Sequence, residues 1–151
     1  MNNEIYEIER KFLVHKKLLP SVEQIDINQA YLFKDDIGTT RIRQFGDKYV
    51  LTIKLRDVGI KQIEVERELT KEEFDKMLEK SPYKKIKKRR SRVGRWEIDH
   101  FLNLTGEFEG LILAEIELSD ENNISNNLVD VKHCFLEQIG YYNSNLIEHV
   151  V

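Results

Sequence analysis

Charged residues recur two apart along much of this chain, a spacing that places each set on one face of an extended strand. Glu7, Glu9 and Lys11 share one face, and Arg41 and Arg43 share another. Further on, Lys48, Thr52, Lys54 and Arg56 alternate with Tyr49, Leu51, Ile53 and Leu55. Glu64, Glu66 and Glu68 then oppose Val65 and Leu69, and Lys84, Lys88, Arg90 and Arg92 fall together. Glu97 and Asp99 oppose Trp96 and Ile98, while Glu115 and Glu117 oppose Ile112, Ala114, Ile116 and Leu118. Clustered carboxylate oxygens are the ligands that hard cations such as Mg²⁺ and Mn²⁺ prefer. Lysine and arginine complement phosphate oxygens, arginine with a planar fork. A space lined by both suits a metal-bridged polyphosphate, where the metal screens charge, polarises the phosphoryl group and can generate the nucleophile.

Any one of these patterns is also what a strand with a solvated face shows. Their repetition points elsewhere. Carboxylates repeat on some strands and cations on others, and like charges two apart on one face repel. Facing strands of opposite sign, or bound ions, must offset that repulsion. The charged faces are therefore read as an interior, with the apolar faces packed outward against helices and loops. Lys84 and Arg92, near the ends of their strand, are expected to be solvated.

The elements that would carry these faces follow from the same alternation and from the turns between them. Strands are expected over Glu4 to Val14, Gln29 to Phe33, Thr39 to Gln44, Lys48 to Arg56 and Gln62 to Leu69. Turn residues separate them at Asp35-Asp36-Ile37-Gly38, Gly46-Asp47 and Asp57-Val58-Gly59. Thr70 and Glu73 fit a capping box, and Phe74, Met77 and Leu78 give one helical stripe that ends before Pro82. Tyr83 to Val93 and Arg95 to Phe101 form a hairpin across Gly94, and Leu111 to Leu118 is the last strand. A second helix is expected over Asn127 to Ile139, stopped by Gly140. About eight strands with short turns and few helices predict an α+β chain built on an antiparallel sheet closed on itself, since closure removes exposed edges. No repeat or linker divides the chain, so 1–151 is read as a single domain.

Composition bounds the function classes. Charged residues reach 34%, above the average of about 25%, yet the net charge is only −3. That balance argues against a general nucleic-acid binder, which needs a basic excess. The basic run from Lys84 to Arg92 is accounted for by a strand with one substrate-facing side. There is no apolar signal core and no run of the roughly 20 apolar residues that a membrane span requires. Cys134 is the one cysteine, expected as a buried small hydrophobe, which fits a reducing, cytoplasmic location. His15, His100, His133 and His149 show no metal-ligand spacing, and neither a glycine-rich phosphate loop nor a Ser–His–Asp or Cys–His constellation is present. Phosphate recognition must therefore be by side chains.

The segment Glu7-Ile8-Glu9-Arg10-Lys11-Phe12-Leu13-Val14 resembles the ExExK signature of the CYTH superfamily, the triphosphate tunnel metalloenzymes. The likeness continues in order through Gln29-Ala30-Tyr31-Leu32, Thr40-Arg41-Ile42-Arg43, Leu51-Thr52-Ile53-Lys54 and Glu64-Val65-Glu66-Arg67-Glu68. It ends with Trp96-Glu97-Ile98-Asp99-His100-Phe101 and Gly110-Leu111-Ile112-Leu113-Ala114-Glu115-Ile116-Glu117-Leu118. The resemblance implies a closed eight-stranded antiparallel barrel with a central tunnel, and hydrolysis or cyclisation of a triphosphate with Mg²⁺ or Mn²⁺. It implies that Glu7, Glu9, Glu115 and Glu117 hold metal, with Asp99 as a further acidic residue of that set. Glu64 and Glu66 would assist a second ion or orient water. Lys11, Arg41, Arg43, Lys54, Lys88 and Arg90 would hold the phosphate chain, with Lys11 also counted among the catalytic groups. The chain departs from many relatives at Gly140, where they carry a basic residue before a tyrosine. The size and the opening segment look most like the small bacterial members that act on inorganic triphosphate. A class IV adenylate cyclase, a thiamine triphosphatase and a non-catalytic polyphosphate-binding module are the other readings. The partner is expected to be a small-molecule triphosphate, not nucleic acid or a membrane, on a monomer or homodimer.

Overall fold

The computed structural model describes residues 6–14, 22–59, 61–117, 146 and 150. Their strands are β1 (Tyr6–Leu13), β2 (Gln24–Lys34), β3 (Gly38–Phe45), β4 (Lys48–Arg56) and β5 (Lys61–Leu69), followed by β6 (Ile86–Val93), β7 (Trp96–Phe101) and β8 (Ile112–Glu117). One α-helix, α1 (Lys71–Lys80), and a 3₁₀ turn at Gly106–Phe108 complete the described elements. All pairings are antiparallel, and the strands follow the order β1-β5-β4-β3-β2-β6-β7-β8, which returns on itself through β1. The seam is short. Tyr6 to Ile8 pair with Ile63 to Lys61 of β5, whereas Glu9 to Leu13 pair with β8. From Glu64 onward β5 has no partner on the β1 side among the described residues. The eight-stranded antiparallel sheet expected from the alternation is therefore present and curled, joined by this narrow contact.

Two strand boundaries differ from the sequence reading by more than one residue. β2 starts at Gln24 instead of Gln29, because residues 24–29 pair with β6. Asp26 and Asn28 are poor strand formers and mask the alternation of Ile25 and Ile27 there. β6 starts at Ile86 instead of Tyr83, because Ser81 Oγ donates 2.8 Å to the Tyr31 carbonyl and fixes a turn around Pro82. The expected helix over Asn127 to Ile139, Gly140, Cys134, and the strand ends at Glu4 and Leu118 lie outside the described residues.

The outer face carries the adhesive surface. Phe12, Trp96, Ile98, Ala114 and Ile116 pack together across β1, β7 and β8, with the Phe12 and Trp96 rings edge-on at 5.4 Å. On the far side α1 lies against β2, β3 and β4. Thr70 accepts from the Glu73 amide at 3.1 Å while Glu73 accepts from the Thr70 amide at 2.9 Å, the reciprocal cap read from the sequence. That start aims Phe74 at Ala30, Ile42, Leu69 and the Tyr49 ring, a burial worth about 1.5–3 kcal/mol. Val65 departs from the outward-packing expectation, being 50% exposed.

The register fixes what faces inward. Lys11 stands opposite Glu115, Glu9 opposite Glu117, Arg90 opposite Asp99, Arg43 opposite Gln29, Thr52 opposite Glu66 and Lys54 opposite Glu64. At the end away from the Gly46 and Gly94 hairpins, Leu13, Tyr31, Phe101 and Leu113 pack in one cluster and lay an apolar floor beneath the charges. Gly38 is where two backbones meet: a Cβ there would sit 1.9 Å from the Lys54 carbonyl oxygen. The Gly38→Ala variant is expected to lose about 2–3 kcal/mol, checked by its urea midpoint, since neither neighbour is a side chain that can swing away.

Candidate active site

A cavity of about 880 Å³ opens between the Gly46 and Gly94 hairpins, and its walls are the charged inner faces of the strands. Glu9, Arg41, Arg43, Lys54, Glu64, Glu66, Arg90, Glu115 and Glu117 all line it. Lys11 and Lys88 lie buried beside that wall, and Asp99 is buried behind Arg90. Glu7 is placed only by its backbone, opposite Gln62. Lys84 is exposed as expected; Arg92 is exposed too but borders the mouth.

The ion pairs form three groups. In the first, Lys11 Nζ donates to Glu115 Oε1 at 2.6 Å and lies 3.8 Å from Glu9, which also lies 3.8 Å from Lys54 Nζ; Lys54 in turn is 3.5 Å from Glu64. This chain of alternating charge ties β8, β1, β4 and β5 together across the interior. Burial opposes the Lys11 charge, but Glu115 and Glu9 outweigh it, so the lysine is held protonated well above its ordinary range. Glu115 is likewise held far below the usual carboxylate range despite its burial, by Lys11, Lys88 and Arg90.

In the second group Arg90 grips Asp99 with a fork, Nε to Oδ1 at 2.7 Å and Nη2 to Oδ2 at 2.9 Å, and reaches Glu97 at 3.2 Å. Lys88 Nζ is 2.8 Å from Asp99 Oδ2 and wholly buried, at an angle that makes no hydrogen bond. Burial, with Arg90 and Arg41 adding to it, pulls Lys88 down to about 7 against the attraction of Asp99. Asp99 is pushed up by its own burial, yet the two cations bring it to about 2. Both its oxygens are engaged by cations, Oδ1 by Arg90 and Oδ2 by Arg90 and Lys88.

In the third group Arg43 donates to Glu66 at 2.8 Å, and Thr52 donates to the same oxygen at 3.1 Å. Arg41 stands apart. Its guanidinium bonds the Tyr31 hydroxyl, and among the described residues no carboxylate lies within ion-pair distance and its Nε is buried without a partner. A tyrosine hydroxyl is a dipole, so the guanidinium charge is offset by a carboxylate only at longer range, by Glu115. Arg43 is pulled down to about 9 by burial and then by Arg41 and Arg90, the signature of crowded cations.

At the mouth the imbalance has the other sign. Glu117 is raised by burial and by the carboxylates of Glu9 and Glu97, which face the same space. Oxygen donors that disfavour one another's charge are what a divalent cation would relieve, so the donor chemistry fits a hard metal ion. Among the described residues no three such side chains converge closely enough to hold an ion as they stand.

The family model for the CYTH domain matches residues 6–150. The chain belongs to the CYTH family. It is 36% identical over 149 residues to the inorganic triphosphatase of Acetivibrio thermocellus, covering 95% of this chain and 94% of that protein. It is 25% identical to the crystal structure of the inorganic triphosphatase NE1496, covering 99% of this chain and 97% of that one with a TM-score of 0.58. At 20% identity and a TM-score of 0.56, the PH1012 protein of Pyrococcus horikoshii shares the fold over 77% of this chain and 80% of that chain.

Some features of the site in this CYTH chain are not given by the charge pattern alone. Thr52 and Gln29 are neutral, yet each is buried on the inner face opposite an inward-facing charged residue. Tyr31 closes the floor and meets Arg41. Glu97 shares a face with Asp99 but reaches the cavity, where Asp99 does not. The signal for Gln29 and Tyr31 was their common parity within Gln29-Ala30-Tyr31-Leu32; the signal for Glu97 was its pairing position opposite the Glu115 strand.

Proposed function

We propose that this chain is a divalent-metal-dependent triphosphatase acting on inorganic triphosphate inside a closed tunnel. The observation that carries it is the convergence of Arg41, Arg43 and Arg90 on one cavity in which Arg41 has no carboxylate within ion-pair distance among the described residues, so that a polyanion completes the charge. The likeness to an inorganic triphosphatase along nearly the whole chain supports the same substrate. The polyanion would enter past the Gly46 and Gly94 hairpins and lay its oxygens against Arg41, Arg43, Arg90 and Lys54, with Lys11 and Lys88 supporting them from the buried wall. Lys11, held protonated between Glu115 and Glu9, acts as a fixed cation on the transferring group and not as a proton acceptor. Glu64 borders the cavity with only a long contact to Lys54 and is the group available to orient water; Glu66 holds Arg43 in place. Glu9, Glu117 and Glu97, with Glu115 and Glu7, would hold Mg²⁺ or Mn²⁺, which when bound screens the substrate charge and polarises the phosphoryl group. A cytoplasmic location as a monomer or homodimer goes with this reading.

The test is phosphate release from inorganic triphosphate, ATP and thiamine triphosphate with Mg²⁺ and separately Mn²⁺. The Glu9→Gln variant is expected to lose activity by about 100-fold or more, since a preorganised charge in such a site is worth that much. No release from any of the three, or undiminished release in the variant, would overturn the reading. Cyclic AMP formed from ATP would instead identify an adenylate cyclase.

A further inference from the structure

Phe45 is an aromatic ring in the wall of a cavity lined mostly by charged side chains. It closes β3 beside the Gly46 turn, on the same face as Arg41 and Arg43, and stands opposite Ile27 and Lys48. The Arg43 guanidinium carbon lies 4.6 Å from its ring centroid and the Arg90 carbon 5.8 Å, both over the ring. These are two of the cations that repel one another in this cavity, as the lowered Arg43 shows.

We infer that Phe45 is a positioning residue that holds Arg43 and Arg90 in place for the triphosphate without neutralising them. This rests on the polyphosphate reading of the cavity. A carboxylate between the two guanidinia would hold them equally well but would cancel charge that an incoming polyanion needs. The face of an aromatic ring attracts cations through its quadrupole and carries no net charge, so it anchors both while leaving their positive charge intact. It also fixes where the guanidinium planes point. Arg43 is gripped from below by Glu66 and Thr52, and Arg90 by Asp99 and Glu97; the ring supplies the contact on the cavity side. Each arginine is thereby set before substrate arrives, which spares ordering its side chain on binding.

The role is tested with Phe45→Leu, which keeps apolar volume and removes the ring, and Phe45→Tyr, which keeps the ring face. One readout needs no ligand: the side-chain Nε–H resonance of Arg43, assigned by its absence in Arg43→Lys. A proton over an aromatic face is shifted upfield, so this signal is expected to move downfield in Phe45→Leu and to stay in place in Phe45→Tyr. The second readout is calorimetric binding of inorganic triphosphate with Mg²⁺. Phe45→Leu is expected to bind about 5- to 10-fold more weakly and Phe45→Tyr within about twofold of the parent, at unchanged thermal midpoints. An unmoved Arg43 resonance in Phe45→Leu overturns the inference, as does equal weakening of binding in both variants. If the parent protein binds no triphosphate while the resonance shifts as stated, the substrate reading fails and the packing of Arg43 on Phe45 stands.

Discussion

The Asp99→Asn variant is expected to cost the fold about 3–5 kcal/mol, the loss seen when one partner leaves a buried ion cluster. Asp99 is 1% exposed and is the only described carboxylate within ion-pair distance of Lys88. An amide keeps the shape but leaves Arg90 and Lys88 buried with like charge and no shared anion. Lys88 can escape by releasing its proton; Arg90 cannot. The pH dependence follows from that difference. In the parent protein Lys88 is brought to about 7, so its protonated form contributes to the comparison only below that pH. The Lys88 share of the deficit is therefore full in mildly acid solution and fades as pH rises through about 7, while the Arg90 share persists. Urea midpoints at pH 6 and pH 8.5 check this, and adding Lys88→Met should recover stability at pH 6 far more than at pH 8.5. A uniform deficit at both pH values, unmoved by Lys88→Met, would count against the cluster as described.

Arg41→Met should do the reverse: activity on inorganic triphosphate falls by about 10²- to 10³-fold while stability changes by less than about 1 kcal/mol. Arg41 has no carboxylate to orphan, and its removal relieves the crowding that pulls down Arg43 and Lys88. What it takes away is a buried guanidinium that has no carboxylate within ion-pair distance among the described residues. Steady-state rates paired with thermal melts separate the two effects. A variant that unfolds, or one that keeps its rate, would show that Arg41 serves the fold and not the substrate.

The contrast between these residues marks how far the sequence could be read. Strand existence and parity were legible because period-two alternation survives on every strand that carries charge, from Glu9 and Lys11 to Glu115 and Glu117. Parity then assigned the inner face correctly for Arg41, Arg43, Lys54, Lys88 and Arg90. What parity cannot give is which inward charge meets which. Asp99 and Glu97 are indistinguishable in a pattern, yet one is locked between two cations and the other stands at the mouth, because the hairpin register sets their depth. Neutral inner-face residues such as Gln29 and Phe45 carry no charge signal at all, and Thr52 is placed only by sharing a face with Lys54. The first residues of β2 were missed for the opposite reason: Asp26 and Asn28 look like turn residues, and only pairing with β6 overrides them.

The wall of this molecule is one residue thick, and its two sides answer to different demands. Cohesion is supplied on the outside by Phe12, Trp96, Ile42 and Phe74 and at the inner floor by Tyr31, Phe101 and Leu113, while the rest of the inside holds mostly charges that add little cohesion of their own. Alternate positions along a strand near the mouth are thus freer to change independently: a new inward side chain there re-addresses the cavity to a longer, shorter or decorated anion with the outer packing left in place. The restriction falls on locked clusters such as Lys88–Asp99–Arg90, where charges must change together or not at all. A scaffold of this kind should diversify its substrates readily at the mouth and slowly at the floor.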